Sequence, residues 1–277
     1  METKEAREYL PSNAASKNKL APLAHAFSRS PRFQQILYRI FTTVTKPLLS
    51  LLLPSNTYNM LGLITDKNCD FMKNPQFLKG YAAAMRQQYK PSLGGWQVHV
   101  NQWAAFHAKQ LEGDFVECGV NRGMYSMSNI TYIDFKSLKE RKYYLFDTFC
   151  GLDQEFCTEE EYLVWKDQYP DCYEFVVDSF KEYPNVVIVK GPVPKTLSQV
   201  DIKKVAYLHI DMNCALPEAE ALKYFWPKLE RGGIVVLDDY GWPACINQKR
   251  AIDDFVSSVG VKVLSLPTGQ GMIIKPH

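Results

Sequence analysis

Two adjacent aspartates close an apolar run near the C-terminus, Gly232-Gly-Ile-Val-Val-Leu-Asp238-Asp239-Tyr-Gly. A third, Asp211, closes another apolar run 27 residues before Asp238, in Leu208-His209-Ile210-Asp211. Neighbouring strands lie about 5 Å apart, and open α/β sheets bind ligands where their parallel strands end. If the two runs are neighbouring strands, the three carboxylates meet there. Carboxylates held together repel unless a proton or a cation intervenes. Capping a turn would use one member of the Asp238-Asp239 pair, not all three acids. Hard oxygen ligands without clustered cysteine or histidine suit magnesium or calcium rather than zinc. His209 shares a strand face with Asp211 and Tyr207 by alternation. It is either a hydrogen-bonded structural residue or a direct participant.

Two further strand exits carry chemistry. Glu117-Cys-Gly119-Val-Asn121-Arg-Gly123 places glycines where a strand turns into a helix, so backbone approaches a ligand closely there. It is not Gly-x-Gly-x-x-Gly, and Glu117 suits a cationic group, such as the amino end of a zwitterion, better than a phosphate. A tight turn with a capping acid is the plainer alternative. The next run ends Leu-Phe-Asp147-Thr148-Phe149-Cys-Gly151. An acid there is placed to accept two hydrogen bonds from a ribose diol, or to cap the turn. Asp178 and Ser179 are candidates for an adenine edge, or solvated helix residues. Trp242, beside Tyr240, is placed to wall a pocket. The acidic, aromatic stretch 152–174 is either a lid or a solvated loop and helix.

The elements that position these residues are short apolar runs alternating with helical patterns. The runs are 115–120, 143–149, 185–190, 205–212, 234–238, 262–266 and 271–274. The first five are separated by stretches long enough for crossover helices, which predicts a Rossmann-like α/β fold: a seven-stranded, mostly parallel sheet with helices on both faces. Pro-Thr-Gly-Gln-Gly between the last two is too short for a crossover and predicts a hairpin, hence one antiparallel strand. Before residue 114 the pattern is helical, with no convincing strand. Pro31 opens one helix and Pro75 opens another, through Phe77, Tyr81 and Met85. A third follows Gly94-Gly95, with Val98, Trp103, Phe106 and Leu111 as core contacts. This divides the chain into a helical N-terminal cap and oligomerisation region, 1–110, and a larger domain, 111–277.

The bulk composition bounds the function class. Of 277 residues, 46% are apolar and 22% charged, with net charge +2. That is an ordinary globular balance, without the concentrated basic face that nucleic-acid binding needs. Residues 1–50 hold eight Lys/Arg against three Asp/Glu, which leaves the rest at net −3. Seven cysteines, an odd number with no Cys-x-x-Cys, indicate neither a disulfide framework nor a zinc ribbon. They fit reduced thiols and a cytoplasmic setting. The first twenty residues are polar and carry acids, unlike a signal peptide. Arg39, Lys46 and Pro47 interrupt the apolar stretch 36–53, which favours a packed helix over a membrane span, with a membrane-surface helix as the alternative.

Taken together, Asp114-Phe-Val-Glu-Cys-Gly-Val-Asn-Arg-Gly123, Leu-Phe-Asp147-Thr-Phe-Cys-Gly-Leu, Leu-His-Ile-Asp211 and Trp226-Pro-Lys-Leu-Glu-Arg-Gly-Gly-Ile-Val-Val-Leu-Asp238-Asp239-Tyr-Gly resemble the macrocin O-methyltransferase family. The likeness spans roughly 111–277, with several separated motifs in order. It implies methyl transfer from S-adenosylmethionine to a hydroxyl of a sugar or glycosylated small molecule, with the help of magnesium, in a homodimer or higher homo-oligomer. It assigns Glu117, Gly119, Asn121 and Gly123 to the cofactor's methionine end. Asp147 falls on the ribose-binding acid, with Thr148, Phe149 and Gly151 beside it as cofactor-binding residues, and Ser179 falls near the adenine; outside the likeness, Tyr58 and Met60 of the N-terminal cap are candidates for closing over the cofactor. Asp211, Asp238 and Asp239 fall on the metal ligands, with Asp211 as the base. The family often shows Asp-x-Asp followed by Tyr-Glu-Ser; here Asn213 replaces the second acid, followed by Cys-Ala-Leu-Pro. That leaves room for a metal-independent enzyme of the same fold. A non-catalytic cofactor-binding partner protein is the rival outside enzymes, and the intact acids weigh against it. A nicotinamide-dependent oxidoreductase would need the missing Gly-x-Gly-x-x-Gly.

Overall fold

A computed structural model describes residues 58–60, 63–65, 67–89 and 94–276. The chain divides into two compact units, Met1–Thr57 and Tyr58–His277. The helix expected at Pro31 and the stretch 36–53 lie outside the described residues. The second unit opens with β1 (Tyr58–Met60) and β2 (Leu63–Thr65), an antiparallel pair. This corrects the expectation of no strand before 114. Each strand has three residues, too few for alternation to register in sequence. Then follow α1 (Pro75–Gln87) and α2 (Gly95–Ala108). Asn74 caps α1, its side chain accepting from the Gln76 and Phe77 amides, with Pro75 in the first helical position.

The main sheet contains β3 (Asp114–Cys118), β4 (Tyr143–Asp147), β5 (Val186–Lys190), β6 (Val205–Ile210), β7 (Leu229–Leu237), β8 (Leu264–Ser265) and β9 (Gly271–Ile274). Their order is β5-β4-β3-β6-β7-β9-β8. β3 through β7 pair in parallel, and β9 runs antiparallel to β7 and β8, as the short connection requires. Between the strands lie α3 (Met124–Ile133), α4 (Glu159–Trp165), α5 (Tyr173–Phe180), α6 (Ala215–Phe225) and α7 (Ile246–Ser258). Five of the expected runs overshoot at their far ends: β3 stops at Cys118 because Gly119 turns at φ +87°, β4 at Asp147, β6 at Ile210, β7 at Leu237 and β8 at Ser265. β7 begins earlier than expected, at Leu229, and β8 is reduced to two residues.

Alternation divides the core into two layers. Phe115, Tyr143, Leu145, Tyr207 and Val236 face Ala104, Ala105 and Ala108 of α2, Met127 and Ile130 of α3, and Val176 of α5. Val116, Phe146, Leu208, Ile210 and Val235 face Ala221, Leu222 and Phe225 of α6 and Ile252 of α7. Both faces are covered, so β6 is buried at every residue. Trp103 and Phe106 do not join this core: each is 39% exposed. Helix α2 seats its alanines on the sheet, which draws its backbone close and turns the bulky rings outward. Among the described residues, no helix is long and apolar enough to cross a membrane.

Candidate active site

The chain leaves β3 in one direction along the sheet to β4 and β5, and in the other to β6 and β7. The crevice therefore opens between β3 and β6, where the strand order reverses. Register places the expected acids there. Ile210 pairs with Leu237, so Asp211 and Asp238 leave adjacent strands at the same level. One carboxylate oxygen each from Asp211, Asp238 and Asp239 lie within 4.8 Å of one another. Burial first, and then Asp238 and Asp239, hold the Asp211 carboxyl well above the usual range. Burial and Asp238 raise Asp239 as well. Oδ2 of Asp239 is buried with no hydrogen-bond partner. Three clustered carboxylates, one with an orphaned buried oxygen, fit a hard divalent cation such as magnesium.

The triad is held from three sides. Gln270, fully buried in the β8–β9 turn, donates from Nε2 to Asp238 Oδ1 at 2.8 Å. Glu218 of α6, 3% exposed, accepts the Met212 amide at 3.1 Å and so fixes the turn after Asp211. His209 lies beneath, with Nδ1 3.5 Å from Glu117 Oε1 and Nε2 3.8 Å from Asp238 Oδ1. These are ion-pair separations, longer than good hydrogen bonds. Burial disfavours the imidazolium, but Asp238 and Glu117 outweigh it and push His209 up to about 10. Tyr125 sets its ring edge-on to His209 at 4.8 Å. Gln270, Glu218 and Tyr125 carried no sequence signal, because each reaches the triad only through tertiary contact.

Beside the triad lies a cavity of about 190 Å³. Of the candidate site residues, Gly119, Asn121, Asp147, Thr148, Phe149, Gly151 and Asp211 line it. Glu117, Gly123, Ser179, Tyr58 and Met60 do not. Glu117 is 1% exposed, turned away to His209. Gly123 packs under the Phe180 ring. Tyr58 and Met60 border a separate small cavity with Trp96 and Thr268. Three non-glycine residues of the cavity wall adopt the left-handed region: Asn121 (φ 47°), Phe149 (φ 58°) and Asn213 (φ 58°). Such conformations gather at functional sites.

Asp147 holds these turns in place. Its Oδ2 accepts the Val120 and Asn121 amides at 2.6 and 2.7 Å, and its Oδ1 accepts the Phe149 amide at 2.6 Å. A carboxylate offers about four acceptor sites, so a two-pronged grip on a ribose diol would have to displace an amide. Gly119 is required for space as well as for φ. A Cβ there would stand 1.8 Å from the Asp211 carbonyl oxygen. Gly119→Ala is therefore expected to cost about 3 kcal/mol or more, read as a fall in Tm of roughly 5–10 °C.

A profile of the macrocin-O-methyltransferase (TylF) family matches residues 98–263. The chain belongs to this family, and it is an S-adenosylmethionine-dependent O-methyltransferase. The match takes in every strand from β3 to β7 and all three aspartates. No curated protein matches the sequence. Among solved structures, the O-methyltransferase NovP shares 18% identity and a TM-score of 0.60, over 71% of this chain and 88% of its own. Cofactor-bound Rv0187 from MTB shares 13% and 0.50, over 84% and 97%. The calicheamicin methyltransferase CalS11 shares 16% and 0.49, over 88% and 93%. At these identities the likeness to the solved structures concerns the fold.

Proposed function

We propose that this enzyme methylates a hydroxyl of a sugar or glycosylated small molecule, with magnesium held by Asp211, Asp238 and Asp239. The observation that carries the reading is the convergence of these three carboxylates within 4.8 Å, one of them, Asp211, lining the cavity. Membership of a family named for a glycosylated acceptor supports the sugar. Magnesium, when bound, supplies a Lewis acid that lowers the pKa of a hydroxyl beside it.

The chain's own residues do the rest. Asp211 alone of the triad lines the cavity, and its carboxylate receives the acceptor's proton. Asp238 and Asp239 stand behind it, with Gln270 fixing the orientation of Asp238. The turns clamped by Asp147 shape the floor on which the cofactor lies, so that donor methyl and acceptor oxygen are held in line. His209 lies beneath the triad, between Glu117 and Asp238, and orients the buried side of the site. The test is a screen of glycosides and vicinal diols with methyl-labelled S-adenosylmethionine. Label in a glycosidic hydroxyl supports the reading, and label confined to a nitrogen, carbon or thiol acceptor overturns it.

Asn213 bears on the metal. Its Nδ2 lies 3.5 Å from Asp211 Oδ1, a neutral donor in the place of the family's further acid. Asn213→Asp keeps a residue type that tolerates φ > 0 and adds a fourth carboxylate. Without divalent cation the variant is expected to lose about 1–4 kcal/mol by charge repulsion. Magnesium should restore its Tm at lower concentration than wild type requires. A variant whose melting ignores both additions would show that no cation sits beside Asp211.

A further inference from the structure

Residues 152–171 leave β4 and return to it, the Cys172 amide donating to the Phe149 carbonyl at 2.8 Å. Tyr169 folds back over Gly151, its carbonyl 3.3 Å from where a Cβ would be. Leu152, Asp153, Phe156 and Tyr169 of this segment line one side of the cavity. Asp211, Met212, Asn213 and Cys214 line the other. Two side chains tie the sides together: Cys157, hydrogen-bonded to Cys214, and Glu161, which lines neither wall and binds the backbone of α6.

Glu161 is 7% exposed. Its Oε2 makes the local capping box of α4, accepting the Thr158 amide at 2.9 Å and the Thr158 hydroxyl at 3.0 Å. Such a box needs one oxygen. The other, Oε1, crosses 54 residues of sequence to accept the Ala215 amide at 3.0 Å. Ala215 is the first residue of α6, and its N-cap, Cys214, makes no side-chain cap bond. Glu161 thus supplies the cap from a distant segment, where an anion is favoured by the helix dipole. Among the described residues no lysine or arginine pairs with it, so these N–H and O–H groups and the helix end alone compensate a buried carboxylate.

We propose that Glu161 is a positioning residue for the acceptor: it straps residues 152–171 to the turn carrying Asp211, so that Phe156 and Tyr169 form the wall opposite the reacting hydroxyl. Tyr169 is placed for this. It lines the cavity with Phe156, and its phenol is a hydrogen-bond donor. An aromatic wall facing hard carboxylates matches a ring with one apolar face and a diol edge, the form of a pyranose. The inference rests on Asp211 marking the site of transfer.

The test compares Glu161→Ala, Glu161→Gln and Asp211→Asn in the full chain. Hydrogen exchange in the presence of S-adenosylhomocysteine needs no acceptor. In Glu161→Ala, segments 152–171 and 211–217 are expected to exchange faster together, by about tenfold, while S-adenosylhomocysteine affinity stays within about twofold. With methyl α-rhamnopyranoside and catechol as probes, KM should rise about tenfold and kcat change little. Glu161→Gln keeps an acceptor for Ala215 and should recover most of that loss. Tyr169→Phe should weaken kcat/KM for the probes without affecting exchange. Faster exchange confined to 158–165 with unchanged KM would reduce Glu161 to a local cap and overturn the proposal. So would a loss of S-adenosylhomocysteine binding as large as the rise in KM. Wild-type turnover by Asp211→Asn would sink the reading of the site instead, and the coupled exchange of the two segments would still stand or fall on its own.

Discussion

Asp211→Asn is expected to lower methyl transfer by about 1,000-fold or more, in the upper range for losing a positioned base, while S-adenosylhomocysteine binds within about threefold of wild type. The size follows from two roles meeting in one carboxylate. Asp211 lines the cavity and is also one of the three clustered acids. The substitution is nearly isosteric, and the backbone contacts at this position do not involve the side chain. The Asp211 amide donates to the Cys118 carbonyl at 2.8 Å, and the Asp211 carbonyl packs on Gly119. The floor of the cofactor site is therefore left in place. Removing one of three mutually repelling charges should raise Tm slightly in metal-free protein, because the native carboxyl is held above its usual pKa. That rise is a signature that general damage would not give. Turnover near wild type would sink the assignment of the base. Lost S-adenosylhomocysteine binding with lowered Tm would show that Asp211 holds the fold instead.

The convergence behind this expectation was legible because it depends on strands alone. Two apolar runs ending in aspartate, in a chain patterned for a parallel sheet, can meet only at the exit edge, and the pairing of Ile210 with Leu237 brings them there. Roles that depend on side-chain direction were less legible. Glu117 has the residue type for an amino group but alternation turns it into the core against His209. Asp147 stands at the expected exit, yet its oxygens are taken up by three amides of the turns around it. Gln270 and Glu161 left no trace, since a glutamine in a hairpin turn and a glutamate in an acidic helix start are common. Their partners lie 32 and 54 residues away. The pair β1–β2 is too short to show a period, and the outward turn of Trp103 and Phe106 follows from how closely α2 approaches the sheet.

Removal of divalent cation is expected to reduce transfer by about 100-fold or more, with full recovery on adding magnesium. A second readout does not depend on turnover. A ligand that binds only the native state at 100 times its Kd stabilises it by about 2.7 kcal/mol, which for a unit of this size raises Tm by roughly 5–10 °C. Magnesium should produce that rise in wild type, and Asp239→Asn should largely abolish it. Asp239 is the informative position because it does not line the cavity and its Oδ2 has no partner among the described residues. Its loss removes a ligand without touching the acceptor side. Turnover unaffected by chelation, together with a Tm that magnesium leaves unchanged, would refute the metal. The raised carboxyls of Asp211 and Asp239 would then mean a shared proton in the cluster, the other way in which three crowded acids are reconciled.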